Sequence, residues 1–95
     1  MRHYIALLHK DAESSYGVSF PDVPGVITAA DTLDQALAQA SEVLAFAAAD
    51  WEDLTGGAFP TPRTLEDLRA DPTFLEVSLE AVVAAVPFQP MLRAA

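Results

Sequence analysis

Four carboxylates in the first third of this 95-residue chain are the first candidates for chemistry. Metal-dependent nucleases gather acidic side chains around paired divalent ions. The residues with this potential are Asp11, Glu13, Asp22 and Asp31. Asp11 and Asp22 fall in predicted turns and Asp31 precedes a predicted helix. Turn formation and helix capping therefore explain these three acids without a metal ion. A divergent metal-dependent nuclease is therefore the weakest functional hypothesis. We expect no catalytic residue, metal ion or cofactor in this chain, which is not predicted to be an enzyme.

The other reactive residue types form no recognisable catalytic pattern. His3 and His9 would lie on one strand roughly 20 Å apart, at about 3.3 Å per residue, too far to bind one metal ion together. The chain has no cysteine, and its serines lack a G-x-S-x-G context. Gly56-Gly57 is not followed by the lysine of a phosphate-binding loop. The sequence thus favours a binding protein over an enzyme.

The charge balance narrows the class of partner. Fourteen acidic residues against five basic ones give a net charge of −9. Such a chain repels nucleic acid phosphates, so we expect it to bind no nucleic acid itself. An acidic surface would instead attract a basic partner, for example a protein that binds nucleic acid. The alternative is that the acidity only keeps a small protein in solution.

Length and composition predict one domain in the cytoplasm. An apolar fraction of 52% is sufficient for a globular core. The absence of cysteine fits a reducing compartment. No apolar run is long enough for a membrane span, so no membrane association is expected.

The elements that would position these residues are clearest between Tyr16 and Ala40. Residues 16–20 alternate in polarity like a half-buried strand, which Pro21 and Pro24 must end. Together with residues 2–9 and 26–30 they predict an antiparallel meander of three strands. Thr32 then opens a helix through the capping sequence Thr-Leu-Asp-Gln.

The helix is predicted from residue 33 to about residue 52, and Gly56-Gly57 stops it. Apolar residues recur at three- and four-residue spacing and include Trp51, the only tryptophan. Trp51 is interpreted either as core packing or as an anchor at a protein interface, where tryptophan is enriched. A short helix is predicted at residues 64–70, before Pro72. Periodicity leaves residues 74–88 open between helix and strand.

Three motifs in order make the chain resemble the HicB family of antitoxins, the inhibitory halves of type II toxin–antitoxin pairs. They are the turn Phe-Pro-Asp-Val-Pro-Gly ending at Gly25, the helix start Thr32-Leu-Asp-Gln-Ala36, and Phe59-Pro-Thr-Pro62. The resemblance covers roughly residues 2–87. It implies an α+β fold of order β-β-β-α-β, with three to four antiparallel strands and one long packed helix, in a degenerate ribonuclease-H-like or double-stranded-RNA-binding-like arrangement. It also favours a fourth strand at residues 79–87.

The resemblance further implies a function and a partner. Family members neutralise a small basic HicA-type messenger-RNA interferase by covering its RNA-binding surface. On this chain we expect Asp11, Glu13 and Trp51 to contact the partner. Homo-oligomers, dimers or tetramers, are also expected, and an orphan self-associating scaffold is the alternative function.

The predicted domain spans residues 1–88 and is followed by a tail at residues 89–95. Full-length members usually carry a C-terminal DNA-binding segment, for which these 95 residues leave no room. We therefore do not expect operator binding from them.

Overall fold

A computed structural model describes residues 2–10 and 15–88 of the chain. These residues form four strands and three helices. In chain order they are β1 (Arg2–Lys10), β2 (Tyr16–Ser19), β3 (Ile27–Ala30), α1 (Leu33–Thr55), α2 (Leu65–Arg69), α3 (Pro72–Val77) and β4 (Val82–Phe88). The α+β class predicted from the sequence is confirmed.

The four strands form one antiparallel sheet in the order β3-β2-β1-β4. The first three strands are the predicted meander, and β4 returns to pair with β1 along seven residues, from Arg2 opposite Phe88 to Leu8 opposite Val82. The short strand β3 and the longer strand β4 are therefore the two edges of the sheet.

Helix α1 covers one face of the sheet. Alternate residues of the strands, including Tyr4, Val18 and Val86, are buried beneath its small side chains Ala36 and Ala40. The small alanine side chains allow the helix to approach the sheet closely. Larger residues such as Leu44, which is fully buried, fill the space that the alanines leave. The two-residue alternation predicted for the strands and the apolar stripe predicted for the helix meet in this core.

The predicted signals determine both ends of α1. The Thr32 hydroxyl accepts a hydrogen bond from the amide of Gln35 at 3.1 Å. Gly56 takes a left-handed conformation with φ of 77° and donates its amide to the carbonyl of Glu52 at 2.8 Å. The helix extends to Thr55 rather than residue 52, because nothing breaks it before the first glycine.

Helices α2 and α3 lie on the opposite face, over β1. Leu68 and Phe74 pack against Leu7 in a second apolar cluster. Asp71 caps α3 by accepting from the amide of Thr73 at 2.9 Å, and Pro72 occupies the first helical turn. Residues 74–88, which periodicity left undecided between helix and strand, thus contain the end of a short helix and an edge strand. The fourth strand implied by the family resemblance is confirmed.

The chain passes from one face of the sheet to the other through an aromatic cluster. Phe59 stacks on Phe88 at 5.5 Å between ring centroids and lies edge-on to Trp51 at 5.3 Å. Tyr4 contacts Phe59 and Phe88, and its hydroxyl donates to the carbonyl of Pro60. Burial raises the pKa of Tyr4 above its usual value. This cluster fixes the segment that joins α1 to α2.

Candidate partner-binding surface

The solvent-facing side of α1 concentrates much of the negative charge. The helix contains five carboxylates and no lysine or arginine. Residues separated by three, four or seven positions share one side of a helix. We call the exposed residues on this side the α1 outer face: Gln39, Glu42, Phe46, Asp50 and Asp53.

Phe46 is the feature of the α1 outer face that sequence reasoning missed. It is 50% exposed, and Glu42 and Asp50 lie one turn before and one turn after it. The sequence contains a signal for it, because Phe46 is a large apolar residue off the buried stripe of α1 and has acidic residues on either side. An exposed aromatic ring between carboxylates can contact both the apolar stems and the cationic ends of lysine and arginine side chains.

A shallow groove of about 310 Å³ connects the α1 outer face with strand β3. Thr28, Gln39 and Val43 line it together with Glu42 and Phe46. The Thr28 hydroxyl donates to the Gln39 side-chain oxygen at 3.1 Å, which ties the edge strand to the helix. The groove therefore has a fixed polar base beside an exposed ring.

Strand β3 presents a second way for a partner to bind. Ile27 is 71% exposed, and β3 carries no charged residue. An edge strand exposes backbone donors and acceptors that can pair with a strand of another chain. The α1 outer face and the edge of β3 together offer carboxylates, an aromatic ring and backbone hydrogen-bonding groups.

The residues predicted to contact a partner fall in different places. Asp11 and Glu13 lie outside the described residues. Trp51 is half-buried against Phe59 and packs on the main core, so it does not belong to the α1 outer face.

A larger groove of about 440 Å³ lies on the other face of the sheet, where Leu7, Phe20, Phe74 and Val77 line it. Arg63 also lines this groove, and its charge is already paired. Its Nε donates to Asp22 Oδ1 at 2.6 Å, and its backbone amide donates to Asp22 Oδ2 at 2.7 Å. Its Nη1 lies 3.3 Å from Asp71 Oδ2.

These contacts give Asp22 a structural role across the chain. The hydrogen bond from Arg63 to Asp22 raises the pKa of the guanidinium. The Thr73 amide, followed by Arg63, lowers the pKa of Asp71. Asp22 was predicted to stabilise its own turn, and it instead binds Arg63, 41 residues later. The Phe-Pro-Asp turn and the Pro-x-Pro segment are thereby joined.

Among residues 2–10 and 15–88, no group of three His, Asp or Glu side chains is placed to hold a metal ion. Within these ranges, no helix is both long enough and apolar enough to cross a bilayer.

Comparison with known proteins identifies the family. The family model described as HicB-like antitoxin of bacterial toxin-antitoxin system matches residues 4–92, so the chain belongs to this family. Among curated proteins, none matches it.

Three solved structures are similar to the chain. The N-terminal domain of the Burkholderia pseudomallei antitoxin HicB has 31% identity over 92% of this chain and 98% of that one, with a TM-score of 0.72. The full Burkholderia pseudomallei HicB structure has 28% identity over 100% of this chain and 74% of that one, with a TM-score of 0.71. A chain of a HicA3–HicB3 toxin–antitoxin complex shares the fold, at 23% identity over 93% and 99% of the two chains and a TM-score of 0.69.

Proposed function

We propose that this chain is a non-catalytic antitoxin module that binds a small basic HicA-type toxin through the α1 outer face and the edge of β3. The observation that carries the proposal is the composition of α1, which has five carboxylates, no cation and an exposed phenylalanine among the acids. Family membership supports the class of function, and a HicB3 protein has been solved together with a HicA3 toxin.

Charge would act mainly on the encounter. Complementary potentials accelerate association and orient the two proteins, and they lose strength as salt shortens the Debye length to about 3 Å at 1 M. An exposed ion pair contributes only about 0.2–1 kcal/mol, so Glu42, Asp50 and Asp53 together would supply about 0.6–3 kcal/mol. The resulting complex would be sensitive to salt without depending on charge alone.

Phe46 would provide the apolar part of the contact. Full burial of a phenylalanine side chain stabilises by about 1.5–3 kcal/mol, and this ring is 50% exposed. Burial of the exposed half of the Phe46 ring by a partner would contribute on the order of 1 kcal/mol to binding. Such a contact, surrounded by polar groups, has the composition of an interface centre with a charged rim.

Neutralisation would require no chemistry from this chain. We infer that the antitoxin would cover the RNA-binding surface of the toxin, because the acidic α1 outer face suits a basic surface that holds phosphates. Asp11 and Glu13 stay proposed contacts on the ground of their negative charge alone. Trp51 stays a proposed contact only through its exposed part, because the rest of the ring packs on Phe59.

The test measures binding of a small basic HicA-type toxin to this chain by titration calorimetry between about 0.05 and 0.5 M salt. The variant E42Q/D50N/D53N should bind about 3- to 150-fold more weakly at low salt, and F46A about fivefold more weakly. The matched control E66Q/E76Q/E80Q removes the same charge elsewhere and should bind within about twofold of wild type.

Two outcomes would contradict the proposal. Equal loss in both triple variants would show that only net charge matters and that the α1 outer face is not the contact. Absence of binding at any salt concentration would favour the alternative, an orphan self-associating domain. The observation that favours this alternative is the exposed apolar strand β4.

A further inference from the structure

Strand β3 is a sheet edge whose two sides differ in chemistry. Its residues alternate between the two faces of the sheet, as they do in any strand. Thr28, which bonds Gln39, and Ala30, which belongs to the main core, lie on the side of α1. Ile27 and Ala29 are exposed on the opposite side. A strand that paired with β3 would continue this alternation, so its side chains would lie in turn over one face and the other.

The side of β3 that faces α1 is acidic. The shallow groove of about 310 Å³ lies here, and Glu42 and Phe46 line it together with Thr28. Neither β3 nor α1 contains a lysine or an arginine. A side chain that enters this groove from a paired strand would meet a carboxylate and an aromatic ring. These are the surroundings that favour a lysine or an arginine.

The opposite side of β3 is apolar and shallow. Ile27 pairs with Ser19 of β2, and it is 71% exposed. Ala29 pairs with Gly17, which has no side chain. Together with His9 these residues line a depression of about 320 Å³, which we call the apolar depression, and none of its described lining residues belongs to a helix. Because it is uncovered and apolar, it would take an aliphatic side chain.

We propose that the toxin binds by adding a strand to β3, and that this strand alternates cationic residues with aliphatic ones. The cationic side chains would enter the acidic groove beside Thr28, and the aliphatic side chains would cover the apolar depression around Ile27. In strand addition, backbone hydrogen bonds supply affinity and the sites for alternate side chains supply specificity. The inference rests on the proposed function and specifies which segment of the partner is recognised.

The strands of this chain do not have the required pattern, so a second copy is not the occupant. Strands β2, β3 and β4 carry no lysine or arginine, and β1 carries them only at Arg2 and Lys10, its two ends. A second copy at this edge would also bring two acidic α1 outer faces towards each other, and like charges oppose that arrangement. A basic partner avoids this repulsion.

The first experiment is titration calorimetry of the full chain with a small basic HicA-type toxin at about 0.05 and 0.5 M salt. I27T keeps a β-branched residue and removes apolar area, so it should bind about 5- to 30-fold more weakly at both salt concentrations. The matched control V82T makes a similar change on the β4 edge, at a site that is 49% exposed, and should bind within about twofold of wild type. Circular dichroism checks that both variants fold.

The second experiment needs no toxin. A capped peptide of about eight residues that alternates lysine with valine is titrated into isotope-labelled wild type. The control peptide has the same composition, with its lysines and valines in two blocks. The alternating peptide should bind about fivefold more tightly, because it alone places lysines over one face and valines over the other. It should shift the amide signals of residues 27–30 and leave those of residues 82–86 unchanged.

The outcomes separate this inference from the proposed function. If wild type binds the toxin and I27T binds as tightly as V82T, the proposed function stands and strand addition at β3 is wrong. Equal binding of the two peptides would also overturn the inference, because only charge would then be recognised. If the alternating peptide binds and the toxin does not, the strand site is supported and the toxin is refuted as its partner. If neither binds, both proposals fail.

Discussion

Replacing Asp22 by alanine should destabilise the protein more than any conservative change at the same link. Its carboxylate accepts the Arg63 amide at 2.7 Å and the Arg63 Nε at 2.6 Å, and the Asp22 side chain is only 8% exposed. A hydrogen bond to a charged group contributes about 1.5–3 kcal/mol. The Arg63 side chain is 41% exposed, so solvent screening reduces the guanidinium part to the range of a surface pair, at most about 1 kcal/mol.

These values predict an order of destabilisation among three variants. D22A should lower the free energy of unfolding by about 2–3 kcal/mol, because both bonds are lost. D22N should cost about 1–2 kcal/mol, because an amide oxygen still accepts from the Arg63 amide but without charge. R63K should cost up to about 1 kcal/mol, because the backbone bond survives. For a domain of this size, each kcal/mol corresponds to a fall in Tm of about 4–8 °C.

Urea unfolding followed by Trp51 fluorescence measures these differences, with an unchanged slope confirming that the variants unfold as wild type does. E42A is the control, since it removes an exposed acid from the middle of α1 and should change stability by less than about 0.5 kcal/mol. The reasoning is wrong if D22A is no more destabilising than E42A. It is also wrong if R63K lowers the free energy of unfolding as much as D22A does. That result would mean that the Arg63 guanidinium, and not its backbone amide, supplies most of the stabilisation by Asp22.

Three further changes test other parts of the fold. Y4F should cost about 1–2 kcal/mol in urea unfolding, because the Pro60 carbonyl loses its hydroxyl donor; a neutral result would show that this bond adds nothing. L44A should cost about 2–5 kcal/mol because Leu44 is fully buried, whereas L54A, at an 80% exposed site, should cost under about 0.5 kcal/mol; equal effects would contradict the assigned core. The pKa of Asp71 is lowered in the fold, so its stabilisation is present above the unfolded pKa near 3.8 and is lost as pH falls through the lower folded value. The stability difference between wild type and D71N should therefore shrink below about pH 4, and a constant difference would refute the linkage.

Local patterns were sufficient to predict most of the elements. The alternation at residues 16–20, the capping sequence at Thr32 and the glycine at 56 act over a few residues, and their effects appear where expected. The division of residues 74–88 into a helix end and a strand could not be predicted from periodicity. It depends on the packing of Phe74 against Leu7, a contact between residues far apart in the sequence.

The contacts between distant residues, and the exposure of Phe46 in the candidate site, were harder to predict for the same reason. Asp22 and Arg63 are both visible in the sequence, yet nothing local indicates that they bind each other across 41 residues. Phe46 is exposed because another side of α1 faces the sheet, and the sheet is built from residues far from α1 in the sequence. Trp51 and Phe46 lie on one helix, and the fold turns the first towards Phe59 and leaves the second half in solvent.

The uneven distribution of charge has a consequence for which part of the chain binds the toxin. The carboxylates of α1 lie beside β3, and β4 at the opposite edge has none. Helix α1 also reaches β4, because the Ser41 hydroxyl donates to the Pro87 carbonyl at 2.9 Å, but Val83 and the α1 outer face are both exposed to solvent. The effects of changes at such separate sites add. A chain that carries V83K together with E42Q/D50N/D53N should therefore bind toxin as weakly as the triple variant. A combined loss much larger than the sum would mean that β4 also takes part in toxin binding.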